Sequence, residues 1–402
     1  MKNKSLTIIL AALMLVPLFT ARAQQDDANR YRRLSLCNML IKHQNEQFAD
    51  EIEEEFLKIP VSDKYNDHNL SVRVVNMSSS DKLKDESAIT QFIDNNLVAS
   101  RLIAKWFNRD ILTGICNMDT VKARGLYDAS VFDRELASRS ARGMAMLEDA
   151  GEDLIGNTYL CMHEITYIDK NKRARVWGAI GQGLLAVAAA YTGESSYADL
   201  GQSVNDLVST LKGFSVRINT RLYRLVWNEE AMARFYKFHY TPGGPRKFEN
   251  ERNLYEMEYI GNVNSKGGTT SFLGINEDEP ELMIRKACQR AMDENIADLQ
   301  KKYEQFRIKT PVATVSPTIT AYIGLKEGVT KDSKYEVLEP EEVDGRIKYK
   351  RVAVIKPVPT MIWDNRFMAA EEMAYGADFG ATTFIKDSGG DITPGMLIRE
   401  IN

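Results

Sequence analysis

The sequence predicts an α+β protein, with N-terminal helices packed on a mixed sheet followed by a small C-terminal β-barrel-like domain. Three observations predict it. Between residues 86 and 310, segments with apolar residues at every third or fourth position alternate with short runs rich in β-branched and aromatic residues. Beyond residue 318 the helical period is lost, and short strands recur roughly every 8–15 residues, the spacing of a small barrel. The composition, 44% hydrophobic and 27% charged, is that of a globular chain that can bury a core.

The first residues read as a leader. Lys2 and Lys4 give a positive start, Leu6 to Phe19 is apolar, and Ala21-Arg22-Ala23 places small residues where a signal peptidase cuts. The apolar stretch is about 14 residues, short of the roughly 20 that span a bilayer, so a cleaved signal peptide over 1–23 is favoured over an uncleaved anchor. The expectation is an exported protein of the periplasm or outer-membrane periphery, soluble after cleavage at about Ala23. No Cys lies at the cleavage point, so a lipid anchor is not expected; the nearest is Cys37. The whole chain carries a formal net charge of −4, and loss of Lys2, Lys4 and Arg22 takes the mature chain to near −7. An acidic chain without a basic stripe argues against a nucleic-acid partner.

Three regions follow the leader. In the first, 24–85, residues 29–57 read as a helix ended by Pro60, and Leu70 to Val75 alternates as a short strand. The second, 86–310, is the α/β region. It opens with a helix over 86–107, where Ile89, Phe92, Ile93, Leu97, Leu102, Ile103 and Trp106 recur at helical spacing. Helices are expected over 121–126 and 133–147. Thr158 to Ile168 and Phe214 to Trp227 are the strongest strand signals, the latter placing Phe214, Val216, Ile218, Thr220 and Leu222 on one face. Residues 254–260 suggest a further strand. An Ala/Gly-rich helical insertion occupies 176–211. The clearest helix runs from Glu281 to Phe306, with Ile284, Cys288, Met292, Ile296, Leu299, Tyr303 and Phe306 forming one stripe. Lys309 to Pro317 reads as a last strand and a linker. The third region, 318–402, carries strands at 320–325, 334–338, 350–355 and 396–399, with Asp344-Gly345 as a hairpin turn.

Reactive motifs are sparse. His43, His68, His163 and His239 are scattered, and no H-E-x-x-H pair occurs, so no metal site is expected. His163 and Glu164 adjoin on a strand and therefore point to opposite faces. No G-x-S-x-G elbow is present. Lys266-Gly267-Gly268-Thr269 lacks the spacing of a phosphate loop and reads as a turn. The acid pairs Glu148-Asp149 and Glu152-Asp153, beside Gly151, read as a surface turn, as does Glu277-Asp278-Glu279 as surface. Cys37, Cys116, Cys161 and Cys288 allow two disulfides in three pairings. The strand position of Cys161 and the apolar-face position of Cys288 favour buried thiols instead.

Candidate interaction residues lie in the insertion. Trp177, Gly178, Gly181, Gly183, Ala186 and Ala190 alternate small side chains that let helices approach closely. The basic run from Lys170 to Arg175 precedes them, so homo-oligomerisation and peripheral membrane contact are both consistent with this segment.

Element order carries a resemblance. Asn108-Arg109-Asp110, Met118-Asp119-Thr120-Val121, an Ala-rich helix, Gly151 to Tyr167 as a strand, the strand Phe214 to Leu222 and the long helix Glu281 to Phe306 resemble the curli secretion-channel protein and its periplasmic relatives. The tail, with Gly324-Leu325-Lys326-Glu327-Gly328-Val329, Tyr335-Glu336-Val337 and Pro394-Gly395-Met396-Leu397-Ile398, is similar to the C-terminal β domain of flagellar assembly protein T. The whole chain also looks like exported proteins of Bacteroides-type bacteria. The resemblance implies helices on a mixed sheet followed by a β barrel in the bacterial envelope, and it implies no catalytic residues and no cofactor.

The functional expectation is therefore a non-enzymatic envelope assembly or scaffold protein that binds envelope proteins through its surfaces, the strand edges of the β domain among them. A hydrolase acting on an envelope polymer and a peripheral membrane-binding protein are the alternatives.

Overall fold

The structure is a computed structural model and describes residues 31–44, 46–77, 86–110, 112–127, 129–140, 143–168, 213–240, 254–265, 270–271, 280–344, 346–370 and 379–401. The leader and the 176–211 insertion fall outside the described residues.

The architecture is α+β. Its first sheet has the order β2-β1-β4-β6-β7, with β3 also on β1. These strands are β1 (Ser35–His43), β2 (Asn66–Asp67), β3 (Val74–Met77), β4 (Thr158–Tyr167), β6 (Val216–Leu225) and β7 (Met257–Ser265), while β5 (Gly213–Phe214) and β8 (Thr270–Ser271) pair separately. β1 runs parallel to β2, β3 and β4, and β4, β6 and β7 are antiparallel, so the sheet is mixed.

The strand period sorts the core onto two faces. On one, Cys37, Met39, Ile41, Leu160, Met162, Tyr223 and Leu225 pack with α2 (Glu86–Asn95), α3 (Val98–Trp106) and α7 (Glu229–Phe238). On the other, Leu40, Ile165, Val216 and Ile218 pack with α1 (Ala49–Lys58) and the long α8 (Pro280–Lys302). The predicted stripe of α8 is buried from Ile284 to Leu299. Three further helices, α4 (Met118–Tyr127), α5 (Val131–Arg139) and α6 (Ala145–Ile155), lie between β3 and β4 in the chain.

Several local expectations change. The 29–57 helix is instead β1 followed by α1. β1 is buried on both faces, so its apolar residues Leu36, Cys37, Met39, Leu40 and Ile41 follow one another without alternation. The strand expected at 70–75 is displaced to β3, and that at 254–260 to β7. The 86–107 helix breaks at Leu97, whose φ of 54° is left-handed, giving α2 and α3. The 133–147 helix divides into α5 and α6 around Gly143, whose φ is 59°. Residues 229–238, read as no element, form α7, capped by the Asn228 side chain accepting from the Ala231 N–H at 2.9 Å.

The C-terminal unit contains β9 (Thr310–Thr314), β10 (Ile319–Ala321), β11 (Lys334–Val343), β12 (Arg346–Pro357), β13 (Thr382–Gly389) and β14 (Leu397–Ile401). Pairing runs β10-β13-β12-β11-β14-β9 and returns to β10, through short ladders on either side of β9. The 309–317 segment thus supplies a strand of this unit instead of a last strand for the first sheet. Val312, Tyr335, Val337, Ala353, Ile355, Phe384 and Ile398 fill the core. Val343 pairs with Arg346, so two residues turn the β11–β12 hairpin, and Asp344 has the positive φ of 55° that such a tight turn demands. No helix among the described residues is long and apolar enough to cross a membrane.

Candidate functional site

A cleft of about 590 Å3 opens between the first sheet unit and the C-terminal β unit. Its walls come from six stretches: the lead-in to β1 at Tyr31-Arg32, the turn at Asp63-Lys64 before β2, Thr310-Pro311 at the start of β9, Tyr322 after β10, Lys326-Glu327 in the 3-10 turn Leu325–Glu327, and residues 363–370 after β12. The last two stretches are bound together. The Leu325 N–H donates to the Trp363 carbonyl at 3.0 Å. A Cβ on Gly324 would lie 2.2 Å from that carbonyl oxygen, so only glycine permits the approach. Asn365 accepts from the Lys326 N–H at 2.9 Å and donates to Glu327 Oε2 at 2.8 Å. The Thr382 hydroxyl accepts from the Trp363 N–H at 3.0 Å and donates to the Ile323 carbonyl at 2.6 Å. From α8, Arg290 donates to the Phe367 carbonyl at 2.9 and 2.7 Å, anchoring the same segment to the sheet unit.

Most charges in the cleft are matched. Arg32 donates to the Asp63 carbonyl at 2.8 Å, and the Asp63 carboxylate lies 3.5 Å from Lys64 and 3.8 Å from Lys326. Burial would raise the Asp63 pKa, but Lys64, Lys326 and Arg32 hold it below the usual carboxylate range. Asp364 also sits low: burial opposes its ionisation, and Arg366, at 2.6 and 2.8 Å, outweighs burial.

Two acids differ. Glu327 is buried; its Oε2 accepts from the Gly324 N–H at 2.8 Å and from Asn365, while its Oε1 has no hydrogen-bond partner among the described residues. Asp293 on α8, half-buried overall, has a buried and unpaired Oδ2. Burial pushes its pKa up to about 7, with Glu327 and Asp63 adding to the rise and Lys326 and Arg290 opposing it. The seam therefore holds carboxyls that are firmly ionised beside one poised near neutrality. It can bind a polar ligand, and Asp293 can exchange a proton at physiological pH.

The sequence-predicted interaction residues Trp177, Gly178, Gly181, Gly183, Ala186 and Ala190 lie outside the described residues, as do Lys266 to Thr269 and Glu277 to Glu279. His163 and Glu164 do face opposite ways. His163 is fully buried under α8, hydrogen-bonded to the Thr220 hydroxyl at 2.9 Å and to Asn38 at 3.1 Å; burial drives its pKa down to about 3, which keeps it neutral. Asn295 completes that network by donating to Thr220 at 3.0 Å. Glu164 meets His43 at 2.8 Å and Arg221 at 3.4 Å, partners that hold its pKa low against the effect of burial. Glu152 and Asp153 lie within α6 instead of in a turn. Among the described residues no group of three or more His, Cys, Asp or Glu is placed to hold a metal ion. The four cysteines form no disulfide, and Cys37, Cys161 and Cys288 are buried. The edges expected to be open in the β unit are paired, since each of its six strands has two neighbours.

Sequence reasoning missed the cleft residues Asp63, Trp363, Asp364, Asn365 and Arg366, and Asp293 on α8 near them. The available signal was the pair Gly324 and Gly328 bracketing a charged tripeptide, together with the aperiodic Trp363-Asp364-Asn365-Arg366. No protein-family model matches the chain, and no curated protein matches it.

Proposed function

We propose that the protein is an exported, non-enzymatic component of the cell envelope, an assembly or scaffold protein that holds a partner in the cleft between its sheet unit and its barrel-like β unit. The observation that carries this reading is the construction of the cleft. Its size suits recognition of a side-chain cluster or small ligand. Three aromatic side chains, Tyr31, Tyr322 and Trp363, lie among charges already matched in place, so the lining offers hydrogen bonds and apolar area. Homo-oligomerisation or membrane contact through the 176–211 insertion rests on the sequence of that segment alone.

Photo-crosslinking in intact cells tests the proposal. A photoreactive residue at Trp363 or Tyr322 should give one discrete adduct with an envelope protein, whereas the same residue at the exposed Ile385 of β13 should not. Arg366→Ala should diminish the adduct. A chain that stays monomeric and gives no adduct from either cleft position would sink the reading.

A second reading, hydrolysis of an envelope polymer, is favoured by the buried, unpaired Asp293 Oδ2, raised in pKa by burial, Glu327 and Asp63, near an Asp63 that Lys64 and Lys326 hold ionised. Release of soluble fragments from envelope polymer by the wild-type chain, abolished in Asp293→Asn, would replace the scaffold proposal.

A further inference from the structure

A second recess, of about 210 Å3, shares Tyr31 and Lys64 with the cleft. Its lining is basic. Arg33, Lys64, Arg307, Lys309 and Arg399 converge on it from four separate stretches of chain, and Glu304 is the one acid among the lining residues. In a chain of net charge −4 this is a concentrated reversal of sign.

The neighbouring acids are already engaged. Glu336 accepts from Arg351 at 3.0 Å and from Arg399 at 2.7 Å. Glu304 pairs with Arg399 at 3.2 Å. Asp133 accepts from the Ser130 N–H at 3.0 Å and the Tyr349 hydroxyl at 2.9 Å. Glu400 accepts from the Ser333 hydroxyl at 2.8 Å. Arg307 donates to the Gln300 and Lys301 carbonyls, both at 2.9 Å, which fixes its guanidinium against the end of α8 through neutral groups that do not cancel its charge. Lys309 forms no salt bridge among the described residues; its ammonium lies 4.2 Å from the centre of the Tyr349 ring. Burial lowers the Lys309 pKa to about 8, and Arg399 and Arg33 push the same way, against Asp133 and Glu336.

We propose that this recess is a phosphate-binding site, with Lys309 as its central donor, Arg307 beside it, and Lys64 and Arg33, whose nearest carboxylates lie 3.5 and 3.9 Å away, at its margin. Cations held apart on separate strands and turns suit a tetrahedral dianion, which takes several donors from different directions. A bound phosphate would also reverse the electrostatic penalty on Lys309, since an anion beside an ammonium favours its charged form. The phosphate could belong to a soluble ester or to a lipid headgroup of the envelope; the chemistry at Lys309 is the same. This site stands independently of the partner proposed for the cleft.

The test uses the full mature chain at constant ionic strength. Inorganic phosphate should raise its melting temperature in a saturable way. Lys309→Met should weaken that binding by at least about tenfold, and Lys309→Arg should retain most of it. Flotation with vesicles of phosphatidylglycerol in phosphatidylcholine, against phosphatidylcholine alone, separates the sources: flotation lost in Lys309→Met assigns a headgroup, and phosphate binding without flotation assigns a soluble ester. A readout on the unmutated chain guards against misfolding of the variant, because phosphate should protect Lys309 from acylation by acetic anhydride at pH 8. Equal labelling with and without phosphate, or binding that Lys309→Met leaves unchanged, overturns the proposal.

Discussion

Asp293 lies on α8 with a pKa raised to about 7 from an ordinary value of 3.8, because one carboxylate oxygen is buried and because Glu327 and Asp63 stand near it. The sign of its effect on stability follows. Between those two values the folded chain holds the proton more tightly than the unfolded chain, so this group favours folding below about pH 4 and loses that contribution as pH rises towards 7. His68 and His163, both lowered to about 3 by burial, act in the opposite direction, costing stability as pH falls below their unfolded value. The wild-type pH profile therefore mixes the two, and the Asp293→Asn difference curve isolates one. That variant should gain on the order of 2 kcal/mol relative to wild type at pH 8 and close to nothing at pH 4. Urea denaturation at a series of pH values measures it, and parallel profiles would show that Asp293 is ionised throughout.

At the scale of elements, the pair α4 and α6 depends on missing side chains. A Cβ on Gly125 would lie 2.2 Å from the Leu147 carbonyl oxygen, and one on Gly151 would lie 2.4 Å from that of Val121. Backbone meets backbone there, so neither helix can yield locally. Gly151→Ala should separate the helices and destabilise the chain by about 1–3 kcal/mol, despite the better intrinsic helix propensity of alanine. A chemical-denaturation midpoint at or above that of wild type would contradict this packing. Legibility in the sequence also varied by element. α8 was readable because its apolar residues keep a three-four spacing from Ile284 to Leu299 against many polar positions, although Lys286, Gln289, Asn295 and Gln300 among these are buried too; β4 and β6 were readable from β-branched and aromatic residues. β1 was not, because burial on both faces erases alternation and leaves a run that fits a helix equally well. The cleft was illegible for a different reason. Tyr31, Asp63, Glu327 and Trp363 come from segments separated by tens to hundreds of residues, and they meet only once the β unit is docked. No local pattern encodes that meeting.

Docking of the two units rests on a chain of specific bonds across the seam. The Tyr31 and Tyr349 hydroxyls lie 3.0 Å apart, and the Tyr349 hydroxyl donates on to Asp133, a fully buried carboxylate that also holds the Ser130 N–H in the capping box of α5. Arg33, near the start of β1, lies 3.9 Å from the same carboxylate. Asp133 thus joins the lead-in to the first sheet, the α5 cap and strand β12 in one place. α8 reinforces the joint where Gly328, with a φ of 78°, leaves only 2.8 Å between a would-be Cβ and the Ala297 methyl. Removing one donor from a buried carboxylate costs more than the mean value of a hydrogen bond, because the acceptor remains buried and less satisfied. Tyr349→Phe should therefore lower stability by about 1–3 kcal/mol and speed hydrogen exchange in both α5 and the β11–β12 hairpin, although these belong to different units. Combined with Asp133→Asn, the losses should fall short of additive, since the two changes delete one shared bond. Strictly additive losses, with exchange faster in the hairpin alone, would mean that the units are held together elsewhere along the seam.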